Sequence, residues 1–151
     1  MRFTRAGEYA VRCILYLAGQ EPDKVISRRE IGNAMKIPHQ FLGKIAQYLA
    51  KAGFIEIIQG PKGGCRLLAS PKNISLLDVV EAITGKLYLN DCIKRPGSCV
   101  RNQNCAVHRI WEKATEQLKA TLQEATFDKL FNEESCMFPL PESSKAKGNF
   151  R

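Results

Sequence analysis

At 151 residues with 44% apolar side chains, the chain suits one domain, or one domain with an extension, and can fill a modest core. No stretch approaches the roughly 18 apolar residues of a membrane span, and Arg12 interrupts the N-terminal apolar segment before it can act as a signal peptide; a cytoplasmic protein is expected. The formal net charge of +8 is concentrated, with 12 Lys or Arg against 5 Asp or Glu in residues 1–72 and 11 against 10 in the remainder, so the first half calls for a polyanion.

From Thr4 to Ala18, Tyr9, Ala10, Cys13, Ile14 and Leu17 return at helical spacing while Arg5, Glu8 and Arg12 take other faces. Thr4 is the expected N-cap, and Gly19 and Pro22 close the helix. Ser27, with Glu30 three residues on, has the form of a reciprocal capping box and opens a second helix to about Met35. After a short connection, Pro38 stands as a first helical residue of a third helix that reaches about Ala52, where Gly53 stops it.

The third helix has two faces. Phe41, Leu42, Ile45, Leu49 and Ala52 fall at core spacing, and Gln40, Gly43, Lys44, Gln47 and Lys51 line the other side. An outward face of Gln and Lys is common on any surface helix, but it also suits a DNA major groove, where Gln pairs with adenine and Lys reaches guanine or phosphate. Phe54 to Ile58, the turn Gly60-Pro61-Lys62-Gly63-Gly64, and Cys65 to Ala69 read as a hairpin with a basic tip. Lys62 and Arg66 are expected to enter a minor groove or clamp phosphates, with the glycines permitting a tight approach. Two tightly joined helices and a basic hairpin together indicate a winged helix-turn-helix, with Arg28, His39, Gln40, Lys44, Lys62 and Arg66 as candidate DNA contacts.

Asn73-Ile74-Ser75 leads into a short buried helix, Leu76 to Ile83, that stops near Gly85. Beyond it periodicity is lost. Residues 91–104 form a polar loop with little reason to fold unless something ties it together. Cys92, Cys99, Cys105 and His108 make a C-x6-C-x5-C-x2-H run there. Three thiolates closing on an iron–sulfur cluster, 2Fe–2S or 4Fe–4S, would supply the tie, and Lys94, Arg95 and Arg101 would favour thiolate. Zinc accepts the same donors, but its usual ligand pairs lie two to four residues apart, which the wide spacing does not offer, and a thiol redox switch needs no metal; ligand type and spacing together favour the cluster. A structural disulfide framework does not suit a reducing compartment. His108 is one candidate fourth ligand, and Glu8 of the partner subunit is the alternative. Cys13 and Cys65 sit in apolar patterns as packed small hydrophobes, and Cys136 has no motif around it.

A long helix from Cys105 to Ala125 carries Val107, Trp111, Ala114, Leu118 and Ala125 in one stripe. Because the winged helix has its own apolar faces, a homodimer seam through Val107, Trp111, Ala114 and Leu118 is expected. Phe127, Leu130 and Phe131 cluster beyond it, and residues 139–151 have the composition of a disordered tail. The expected organisation is a winged helix-turn-helix domain over 1–84, a cysteine-bearing sensor loop over 85–104, a dimerisation helix and helical segment over 105–138, and the tail. The fold class is mostly α with a small β-hairpin wing.

The opening Met1-Arg2-Phe3-Thr4 with Glu8 to Arg12, the stretch Ile37 to Gly53, the wing Gly60 to Gly64, the Val79-to-Ile83 helix and the Cys92, Cys99, Cys105, His108 run together resemble the IscR/NsrR-type winged-helix regulators of the Rrf2 family. The resemblance covers roughly residues 1–132. It implies a homodimeric transcription factor on operator DNA, not an enzyme, whose cysteines hold an iron–sulfur cluster sensing iron–sulfur status, nitric oxide, iron or redox state. Cys92, Cys99, Cys105 and His108 match the IscR-like ligands, and Glu8 matches the carboxylate that NsrR-like members take from the opposite subunit. The chain departs from the pattern in having six residues where the family usually has five between its first two cysteines, and in placing Gly43 where IscR-like proteins have a glutamate that helps choose between DNA sites. The reading is a repressor of transcription. A thiol switch without a cluster is the alternative, and a small electron carrier is a remoter one that leaves the basic N-terminal half unexplained.

Overall fold

The computed structural model describes residues 4–101 and 104–132; the predicted tail and Cys136 lie outside the described residues. Helix α1 (Arg5–Ala18) begins where Thr4 Oγ1 accepts the Gly7 N–H at 3.2 Å and ends at Gly19. Helix α2 (Arg28–Met35) begins with the Ser27 hydroxyl accepting the Glu30 N–H, but Glu30 does not complete the expected box: its carboxylate accepts the Tyr16 hydroxyl of α1 at 3.0 Å. Helix α3 (His39–Lys51) follows Pro38, which is the N-cap rather than the first helical residue, and Gly53 at φ 80° ends the turn.

These three helices meet in a core of Ala10, Cys13, Ile14, Leu17, Ile31, Met35, Leu42, Ile45, Ala46 and Leu49. Two residues expected there are outside it. Ala52 is exposed, and Phe41 is 41% exposed with its ring 5.7 Å from that of Tyr9. Strands β1 (Ile55–Ile58) and β2 (Gly64–Leu67) pair antiparallel, with Ile55 opposite Leu67 and Ile58 opposite Gly64. Ile26 adds a one-residue bridge to Cys65, exchanging backbone bonds of 2.9 and 2.8 Å, so the hairpin is anchored to the start of α2.

Helix α4 (Leu76–Thr84) has the full capping box, Ser75 with Asp78, and packs on α1 and α3. The polar stretch beyond it is more ordered than its composition implies: Asp91–Lys94 makes one turn of helix, α5, and Pro96–Ser98 a turn of 3₁₀ helix. Helix α6 (Ala106–Glu124) has Cys105 as its N-cap, not inside it. Thr115 is its one buried residue. The chain then returns to the first core. Leu76 N–H donates to Ala125 O at 2.8 Å, Phe127 N–H to Ile74 O at 3.0 Å, and Phe127, opening α7 (Phe127–Asn132), is fully buried.

Candidate nucleic-acid interface and candidate metal centre

Hydrophobic anchoring of Leu42, Ile45, Ala46 and Leu49 turns the opposite face of α3 outward. His39, Gln40, Lys44, Gln47 and Lys51 are all exposed there. Tyr48, absent from the faces read from sequence, shares this exposure, with Lys44 Nζ 5.9 Å from its ring centre. Arg28 and Arg29 are exposed at the start of α2, and Lys62 stands exposed at the hairpin tip. No helix among the described residues is long and apolar enough to cross a membrane.

Arg66 is placed differently from the other candidates. Its guanidinium pairs across the strands with Glu56, its register partner, and its buried Nε has no hydrogen-bond partner among the described residues. It braces the wing, and Lys62 is the cation left at the tip. The hairpin glycines also have an internal reason. A Cβ at Gly63 would stand 2.2 Å from Ile58 O, and one at Gly64 would stand 2.1 Å from Ile26 O.

Around the cysteine run, the start of α6 and the α5 turn are brought together. Cys92 Sγ lies 3.4 Å from His108 Nδ1, and Cys105 Sγ accepts the His108 backbone N–H at 3.4 Å while capping α6. Cys92 and Cys105 are partly buried, and Cys99, just after the 3₁₀ turn, is exposed. Among the described residues no three His, Cys, Asp or Glu side chains already form a metal-holding group. Arg95, expected to support thiolate, pairs with Asp91 at 3.6 Å on the surface. Glu8 belongs to another part of the surface, where Arg12 binds its carboxylate and reaches Met35 O at 3.4 Å.

A strap joins this region to the winged helix. Leu87 N–H donates to Glu81 of α4 at 2.9 Å, Leu89 N–H to Thr115 Oγ1 of α6 at 3.4 Å, and Lys119 of α6 lies 3.7 Å from Glu81 and 4.6 Å from the Tyr88 ring centre. None of these residues carries a motif, so only their spatial meeting identifies them. In the first two turns of α6, Val107, Ile110 and Trp111 remain 60%, 65% and 38% exposed. Ile110 is exposed beside Val107 and Trp111 of the expected seam, and its three-residue spacing from Val107 is the sequence signal for it.

Comparison with known proteins gives concordant findings. The family model described as Rrf2, iron-dependent transcriptional regulator, matches residues 3–133. The chain is 31% identical over 136 residues to the HTH-type transcriptional regulator NsrR of Shouchella clausii, covering 89% of this chain and 91% of that protein. It is 26% identical over 137 residues to the HTH-type transcriptional regulator IscR of Klebsiella pneumoniae, covering 91% and 83%. In fold it is similar to CymR, the global cysteine regulator of B. subtilis, with a TM-score of 0.74 at 19% identity over 87% of this chain and 96% of that one. IscR of T. potens superposes with a TM-score of 0.69 at 22% identity over 91% and 92%.

Proposed function

The chain belongs to the Rrf2 family of transcriptional regulators and is not an enzyme, and from that premise we propose that it is a homodimeric repressor whose operator affinity answers to an iron–sulfur cluster. One observation carries the sensing part: Cys92 Sγ and His108 Nδ1 stand 3.4 Å apart while Cys105 Sγ rests on the His108 N–H, so three of four candidate donors already share one end of α6. Soft thiolates with one imidazole suit an iron–sulfur centre, and Cys99 on the adjacent exposed turn supplies the third sulfur. Such a cluster, 2Fe–2S or 4Fe–4S, supplies iron that reacts with nitric oxide or oxidants. His108 is favoured as fourth ligand over Glu8 of the partner subunit, because Glu8 is engaged by Arg12 in its own chain.

The duplex-facing groups are His39, Gln40 and Lys44 on α3, Arg28 at the start of α2, and Lys62 on the wing, with Arg66 bracing that wing through Glu56. Two such units in a dimer read half-sites about one helical turn apart. The test is the visible and Mössbauer spectrum of anaerobically purified protein, set beside its operator binding. Iron–sulfur absorption that Cys99→Ala abolishes, and that His108→Ala alters while Glu8→Ala does not, is expected. Lys62→Ala should weaken every duplex alike, and Gln40→Ala should relax particular base pairs by about 1 to 3 kcal/mol. A colourless protein with a reversible disulfide would replace the cluster by a thiol switch, and absence of duplex binding would overturn the regulator's DNA surface.

A further inference from the structure

Position 43 on α3 bears no side chain, yet the space above it is occupied. Nη1 of Arg28, reaching across from the first turn of α2, lies 3.6 Å from the point where a Cβ at Gly43 would stand. Gly43 flanks the outward face: at about 100° per residue, positions 43, 47, 40 and 44 follow one another around roughly one 100° arc of the helix, with 43 at the edge nearest Arg28. Arg28 is exposed, and among the described residues no acidic side chain holds its guanidinium in an ion pair. A planar, permanently charged fork therefore borders the face that carries Gln40, Lys44 and Gln47, on the edge where Gly43 has no side chain.

We infer that Arg28, although it belongs to α2, is the base-reading side chain at the place on α3 where Gly43 offers none, and that it selects a guanine in each operator half-site. The inference rests on the reading of α3 as the duplex-facing helix. The chemistry is specific to this pairing of residues. A guanidinium donates two parallel hydrogen bonds to guanine O6 and N7, which an ammonium cannot match. A residue no larger than alanine at 43 leaves the guanidinium in van der Waals contact with α3, its Nη1 3.6 Å from the Cβ position. A glutamate at 43 would put a carboxylate beside the guanidinium and occupy its donors, so the identity of residue 43 would act on sequence preference through Arg28.

The test is selection of binding sites from randomised half-sites by the full-length protein, with affinity for an unrelated duplex measured in parallel. The wild-type protein should prefer guanine at one symmetry-related position of each half-site. Arg28→Lys should lose about 5- to 150-fold of that preference and leave the other positions and the unrelated duplex nearly unchanged. Gly43→Glu should give the same loss with Arg28 still present, and Gly43→Ala should keep the preference, since 3.6 Å is an ordinary contact. Unaltered selection by Arg28→Lys, or an equal weakening on every sequence by Arg28→Ala, would overturn the assignment in favour of a phosphate contact or a bystander. A wild-type protein without preference on any duplex would overturn it together with the reading of α3, a result distinct from selective DNA binding that ignores residue 28.

Discussion

Cys13 on α1 and Cys65 on β2 have no exposed surface, and burial pushes both thiols up; the nearby Cys65 adds to the effect at Cys13, while the Arg28 charge opposes it at Cys65. The thiolate is the nucleophile and the metal ligand, so a group held as thiol and shut from solvent is inert at neutral pH. Cys92 and Cys105 are partly open and Cys99 is exposed. Alkylation of reduced, metal-free protein at neutral pH should therefore modify Cys92, Cys99 and Cys105 first. Cys13 and Cys65 should react only as fast as the domain opens. Peptide mass mapping over time separates the two classes, and native-state labelling of Cys13 at the rate of Cys99 would contradict the division. This distinction was legible in the sequence, because the apolar neighbours of Cys13 and Cys65 recur at helix and strand spacing and those of the other three do not.

At the level of elements, Gly64 shows how a legible motif can have an illegible reason. Its place in a Gly-Gly turn signals a hairpin, but a Cβ there would meet Ile26 O because Ile26 runs beside β2 as a third, one-residue strand. Gly64→Ala must push one backbone from another, at a cost of about 1 to 3 kcal/mol, and should lower the calorimetric melting temperature. An unchanged melting temperature would count against the bridge. A single bridging residue has no period, so no pattern in the sequence reveals it. Helices α1, α2 and α4 were readable because each combines an apolar stripe with a hydroxyl cap at Thr4, Ser27 or Ser75. The turns at Asp91–Lys94 and Pro96–Ser98 are too short to repeat. Phe41 and Ala52 have the right spacing on α3 but lie at the edges of the buried stripe, where the core no longer reaches them.

For the whole molecule, α6 is the connecting part. Thr115 and Lys119 fasten its middle to the strap and α4, and Val107, Ile110 and Trp111, exposed in its first two turns, suit the proposed dimer seam. Leu118 is half-buried, so Ile110 is the cleaner probe of that seam. Ile110→Glu should place an unpaired charge in it at about 3 to 5 kcal/mol and yield monomers with weak operator binding; an unchanged dimer mass by light scattering would rule the seam out. The same helix links sensing to DNA. Its first turn is capped by Cys105, and His108 in that turn faces Cys92, so the order of the 91–104 segment and the start of α6 depend on the same side chains. Removing the proposed cluster should free the segment and loosen that turn, moving Val107, Ile110 and Trp111 at the seam and with them the spacing of the two reading units. A coupling of about 1 to 3 kcal/mol, or roughly 5- to 150-fold in affinity, is the expected size. Operator titrations of holo and chelator-stripped protein at fixed salt measure it. Thr115→Val, which removes the Leu89 tie without touching a candidate ligand, should shrink the difference while leaving the visible spectrum intact. Equal affinity of the two forms for every operator would remove the switch, and a full-sized difference in Thr115→Val would leave α6 connected to the winged helix by some route other than the strap.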